Sequence, residues 1–296
     1  NEKLIKSALI LAAAISILTT FGILFSILFE AIEFFQLRSF WYFLTGTIWS
    51  PGVANSQFGA LPIFAGTFVI TIIALLVAIP IGLGSAIYMS EYASPKFRDY
   101  LKPILEILAG IPTVVYGFFA AITVAPLVVK AAAFFGLEAT FNSALASGIV
   151  MGIMIIPLIS SLSDDVIRAV PDSQRKAAFA LGMTHGETIK NIVIPSAMPG
   201  IISASLLALS RALGETMIVV MAAGLRPNLS WNPLEDMTTV TVTIVNSLVG
   251  DFEFNSPETL SAFALGLVLF IVTLILNMIS LSLIRKFKEK YKVNTL

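Results

Sequence analysis

Cysteine is absent from all 296 residues, which excludes a disulfide framework and any thiolate metal site. Charge is scarce. Asp, Glu, Lys and Arg make up 12% of the chain, against about 25% in soluble domains. So little charge over this length cannot cover a water-exposed surface. Histidine occurs once, as His185, so no His-Glu-x2-His metal motif can be written. A lone histidine in a polar connection reads as a solvated side chain, with no proton role assigned. No Gly-Lys dipeptide exists, and with it goes any Gly-x4-Gly-Lys-Ser/Thr phosphate loop. The chain therefore binds no ATP in such a loop, and nothing in it reads as an enzyme active site. Net charge is zero, and no basic patch suits nucleic acid.

What is abundant is apolar. Hydrophobic residues form 57% of the chain, and the mean hydropathy is +0.93. Charges are bunched, leaving Ser7–Phe29, Ser39–Ser90, Ile107–Val129, Ala139–Ser163, Asn191–Ser210 and Thr259–Ile284 with none. A helix needs roughly 20 apolar residues to cross the hydrocarbon core, and each stretch is long enough. The fold predicted is all-α and integral to the membrane. Six spans are placed at Ser7–Phe29, Leu61–Tyr88, Ile104–Val129, Thr140–Leu162, Pro199–Gly224 and Thr259–Ile284. The first run has 23 residues and ends on Leu28 and Phe29, longer than a signal-peptide core of about 7–15 residues. It reads as a retained span.

Lys and Arg in the connections set the orientation. Fourteen fall on one side, in the N-terminus, the second and fourth connections and the tail through Lys292; three fall on the other, Arg38, Lys130 and Arg226. Both termini are expected in the cytoplasm. The first outer segment, Glu30–Ala60, carries Phe34, Phe35, Phe40, Trp41, Tyr42, Phe43 and Trp49. Amphipathic rings gather at the membrane interface, so this segment is expected along the outer surface. Pro80, Pro112, Pro126 and Pro157 break the spans, which suits either a moving channel wall or a static kinked bundle.

The longest cytoplasmic connection, Ser163–Met198, is the most informative. Asp172 to Leu181 reads as a capped short helix ended by Gly182, which predicts a left-handed residue there. Thr184 and Glu187 have capping-box spacing and start a second short helix that runs toward Ile192, before Pro195. Ala177 and Ala178 give the first helix a smooth face.

Ala177-Ala178, Gly182, nine further residues and then Ile192-Val193-Ile194-Pro195 resemble the EAA loop of ABC-importer permeases, Glu-Ala-Ala-x3-Gly-x9-Ile-x-Leu-Pro. Lys176 stands where that motif has Glu, and Ile194 where it has Leu. The resemblance implies a coupling loop that sits in a cleft of a cytoplasmic ATPase, with Arg175, Lys176, Ala177, Ala178, Gly182, Glu187, Ile192 and Pro195 as its residues. Further motifs resemble the phosphate-specific permeases. These are Phe58-Gly59-Ala60-Leu61-Pro62 with Gly66-Thr67, Glu106 to Gly117, and Arg211-Ala212-Leu213-Gly214-Glu215-Thr216-Met217. The long aromatic outer segment looks more like the C-type subunit than its A-type partner.

What the resemblance implies is a type I ABC-importer permease fold. Residues 1–57 would hold the first span and the outer segment, and 58–296 the permease core with its coupling loop at about 163–198. The partners implied are a second permease, two copies of an ATPase that uses the ATP and magnesium, and an external phosphate-binding protein. The membrane implied is a bacterial or archaeal cytoplasmic one. Sulfate, molybdate or phosphonate stand as alternative substrates, and an ion-gradient transporter as the rival class.

Arg211 is the one Lys or Arg inside a predicted span. It lies ten residues past Ile201, about 15 Å deep at 1.5 Å per residue. Such a position costs roughly 2.5–3.5 kcal/mol. Glu215 follows at i+4 and is expected on the same helical face. Two readings stand: a self-neutralising structural pair, or a guanidinium fork on an anion pathway with Glu215 and Thr216 beside it. Glu106, after Pro103, reads as an acid at a helix start.

Overall fold

The computed structural model describes residues 2–52, 56–249 and 255–290, with 287–290 described by backbone alone. Lys292 and residues 53–55 of the aromatic segment lie outside the described residues. The order is α1 (Glu2–Leu37), α2 (Phe40–Thr45), β1 (Trp49–Ser50), β2 (Gln57–Phe58), α3 (Leu61–Ile87), α4 (Pro95–Ala109), α5 (Thr113–Phe119) and α6 (Ala125–Phe134). Then come α7 (Ala144–Arg168), α8 (Asp172–Ala180), α9 (His185–Thr188), α10 (Ile194–Leu213), α11 (Met217–Ala222), α12 (Val240–Leu248) and α13 (Pro257–Lys290). Single π-helical turns at Tyr88–Tyr92, Ala120–Val124 and Ile189–Val193 adjoin α3, α6 and α10. Pro126 and Pro195 follow two of these turns at the start of the next helix. A proline gives no N–H to the turn before it, and a widened turn accommodates that loss.

Six helices among the described residues are long and apolar enough to span: Glu2–Leu37, Leu61–Tyr92, Thr113–Phe134, Ala144–Arg168, His185–Leu213 and Pro257–Lys286. The predicted number is met. Two of the predicted spans are displaced. The third span begins at Thr113 rather than Ile104, because the chain breaks at Gly110–Pro112. What precedes it is α4, capped by Ser94 and tied to the end of α7 by Arg98–Asp164 and Lys102–Asp165, each 2.8 Å. Pro103 lies inside α4 and Glu106 in its last turn, so the helix-start reading of Glu106 is withdrawn. The fifth span begins at His185 and ends at Leu213, so it does not run on to Gly224.

The chain divides into two compact units, Asn1–Pro62 with Thr243–Ile271, and Ile63–Val242 with Val272–Leu296. In the first, α1 buries only Ala31 and Phe34, and an apolar helix so exposed belongs in lipid rather than water. Beyond it, the Phe34 ring meets Phe43 at 5.4 Å and Phe58 at 5.5 Å, both edge-on. Part of the aromatic segment therefore packs inward on itself, while Trp41 stays 73% exposed. Gly46 and Gly59 cross there so closely that a Cβ on Gly59 would lie 2.4 Å from the Gly46 carbonyl carbon.

In the second unit, α7 is the central helix, packed against α10 and approached closely by α3. A Cβ on Gly152 would sit 2.8 Å from the Ala74 carbonyl oxygen, so glycine lets α3 and α7 close. On α10, Ala197, Ile201, Ala204, Ala208 and Ala212 are buried at three- and four-residue spacing, forming one stripe of mostly small residues. The loop before α12 is bonded to the start of α7 through Leu234, Glu235 and Pro233 carbonyls. Hydrogen bonds from Asn228, Ser230 and Asn232 hold the Glu235 carboxyl below the usual range.

Candidate functional site

Arg211 lies in the last turn of α10, where a cation suits the carbonyl end of the helix. Glu215 lies past the helix end, beyond the capping Gly214, so it does not stand one turn above Arg211 on a common face. Its carboxylate Oε1 instead accepts from the N–H groups of Met217 (3.1 Å) and Ile218 (3.4 Å), capping α11. Thr241 Oγ1 donates to the Glu215 carbonyl at 2.9 Å, and Glu215 is only 8% exposed. The expected Arg211–Glu215 pair is absent. Arg211 is exposed and has no ion pair within 4.0 Å among the described residues. Tyr116, on α5, is its electrostatic neighbour. Thr216 is partly exposed at the break between α10 and α11.

The connection between α7 and α10 has the caps its sequence predicts, but the expected second short helix is no separate element: α9 continues through the π-helical turn Ile189–Val193 into α10. Gly182 has φ +82°, the left-handed conformation glycine tolerates. The Met183 N–H reaches back to the Ala178 carbonyl and the Gly182 N–H to that of Phe179, closing α8 with a Schellman motif. Thr184 and Glu187 form the capping box that opens α9. An open apolar groove of about 330 Å³ runs between α8 with its end and the start of α10, lined by Ala177, Ala178, Leu181, Met183, Ile192 and Pro195. Ala177 and Lys176 are exposed, whereas Ala178 is turned inward at 3% exposure.

Arg175 also turns inward. Its guanidinium pairs with Glu91 at 2.9 Å and donates to the carbonyls of Ile167 (3.0 Å) and Val170. Glu91 sits in the π-helical turn at the end of α3, 6% exposed. His185 is not merely solvated. It stacks on Phe179, meets Tyr92 edge-on at 5.1 Å, and places Nε2 3.8 Å from the second Glu91 oxygen. Glu91, Arg98 and Asp164 escaped the sequence reading. Asp164 bounds an apolar stretch, but its partner lies 66 residues earlier in the chain, out of reach of any local pattern.

A chain with six spans, a short capped helix in the connection between two of them and an exposed cation at a broken helix has the form of a membrane transport subunit. The family model described as the inner membrane component of binding-protein-dependent transport systems matches residues 78–292, and the chain belongs to that family. It is 35% identical over 251 residues to the probable ABC transporter permease protein YqgH of Bacillus subtilis (strain 168), covering 85% of this chain and 78% of that protein. It is 34% identical over 287 residues to the phosphate transport system permease protein PstC of Mesorhizobium japonicum, covering 90% and 84%. Among solved structures, a bacterial alginate ABC transporter in complex with an alginate-bound periplasmic protein shares the fold. Its TM-score is 0.62 at 16% identity, over 91% of this chain and 92% of that one. The chain is thus a multi-pass inner-membrane permease of the ABC-importer type.

Proposed function

We propose that this chain forms one wall of the pathway in an ATP-driven importer of inorganic phosphate. The observation that carries this reading is Arg211: an exposed guanidinium at a break between helices, with no carboxylate within ion-pair distance among the described residues. Desolvating a mono- or dianion without fixed positive charge is prohibitive. A planar guanidinium fork matches phosphate oxygens two at a time. The likeness to PstC supports phosphate over the other oxyanions.

One cation does not neutralise a dianion, so a second permease contributes at least one more basic residue from the facing wall. Lys176, Ala177, Gly182, Glu187, Ile192 and Pro195 form the face or the groove that meets the ATPase, and Arg175 and Ala178 support it from beneath. ATP and magnesium belong to that ATPase; this chain holds no cofactor. An external phosphate-binding protein delivers the substrate, and both termini are cytoplasmic. Isolation of the chain from its native membrane tests the assembly. The expected result is a complex with a second permease and an ATPase that phosphate-loaded binding protein stimulates. Stimulation by a sulfate-loaded protein instead, or no ATPase in the complex, would overturn the reading.

A further inference from the structure

One carboxylate faces both short helices of the coupling loop. Glu91 Oε1 accepts from Arg175 of α8 at 2.9 Å, and Glu91 Oε2 lies 3.8 Å from His185 Nε2 at the start of α9. Its own backbone belongs to the π-helical turn that ends the Leu61–Tyr92 span. The Glu91 side chain is 6% exposed and that of Arg175 16%, so their attraction is poorly screened. The flanking ring of Tyr92 packs on His185, whose other side carries Phe179 of α8. Arg175 meanwhile donates to Ile167 in α7 and Val170 just after it. Span, loop and the end of α7 thus meet at the Glu91–Arg175 pair.

We propose that Glu91 is a positioning residue for transport: it fixes the coupling loop to the second span, so that a displacement of the loop moves the span. The π-helical turn suits this task, because a widened turn lets a helix end shift without breaking its neighbours. Removing one charge from a pair this buried costs stability as well, so coupling is read per assembled complex. This inference rests on the importer reading above only for one of its two measurements.

The experiment uses the assembled complex in proteoliposomes, with Glu91→Gln and His185→Gln. Glu91→Gln keeps an oxygen for Arg175 and loses the charge. His185→Gln, at a side chain 45% exposed, leaves the Glu91–Arg175 pair intact and removes the ring contacts of His185 with Glu91, Tyr92 and Phe179. Phosphate moved per ATP hydrolysed should fall about fivefold or more in Glu91→Gln, and less in His185→Gln, with hydrolysis continuing. Equal loss of transport and hydrolysis would mark a structural role and overturn the proposal, as would a wild-type ratio. Where Glu91→Gln does not assemble, a wild-type ratio in His185→Gln overturns it. The second measurement needs no substrate. Spin labels at Tyr88 and Lys176, both exposed, report the span-to-loop distance. A narrow distribution in wild type should broaden in Glu91→Gln. An unchanged width contradicts the proposal whatever the importer carries.

Discussion

At the scale of single residues, two buried acids do different work. Glu215 caps α11 through the Met217 and Ile218 N–H groups. Glu215→Gln keeps an accepting oxygen and should lower uptake only mildly. Glu215→Ala removes the cap, which costs about 1 kcal/mol. Thermal unfolding of the two variants, compared at matched expression, separates them; equal destabilisation would contradict the capping role. Asp164 is 1% exposed and depends on Arg98 at 2.8 Å. Arg98→Ala leaves that carboxylate buried and unpaired and should destabilise by roughly 3–5 kcal/mol, read as lost thermal stability in detergent. Wild-type stability would show that water replaces the guanidinium. Arg211 was legible because a cation in an apolar run stands out. That Glu215 does not pair with it was not legible, since helix geometry was extrapolated across Gly214, where the helix ends.

Among the elements, local chemistry spoke most clearly where the chain is polar. Gly182, Thr184 and Glu187 form their terminator and box because each needs only neighbours within a few residues. Spans were harder. Ile107–Val129 is free of charge throughout, so although Pro112 marks a breaker, charge alone does not show that the break at Gly110–Pro112 separates α4 from α5. The start of the fifth span was hidden in the opposite way, because the polar loop sequence around His185 continues through a π-helical turn into α10. Gly182→Val tests the loop directly. At φ +82° a β-branched residue is strained, costing roughly 1–2 kcal/mol or more. The variant should insert normally yet release or uncouple the ATPase. Normal ATP-driven uptake by Gly182→Val would remove the coupling role from this loop.

For the whole molecule, the charge asymmetry makes a topological statement that the cysteine-free chain can test. Single cysteines at Lys176, Lys286 and Asn255, all exposed, can be labelled by an impermeant thiol reagent from either side. Lys176 and Lys286 should react from the cytoplasmic face and Asn255 from the outer one. Reaction of all three from one face contradicts the six-span arrangement. The central claim is that phosphate passes this chain beside Arg211. Uptake of radiolabelled phosphate into vesicles, with ATP inside and matched amounts of assembled complex, measures it directly. Wild type should transport, Arg211→Lys should transport weakly for want of a bidentate fork, and Arg211→Gln should fall about 100-fold or more. Transport by Arg211→Gln at the wild-type rate would show that the guanidinium only closes the end of α10 and that the pathway runs elsewhere.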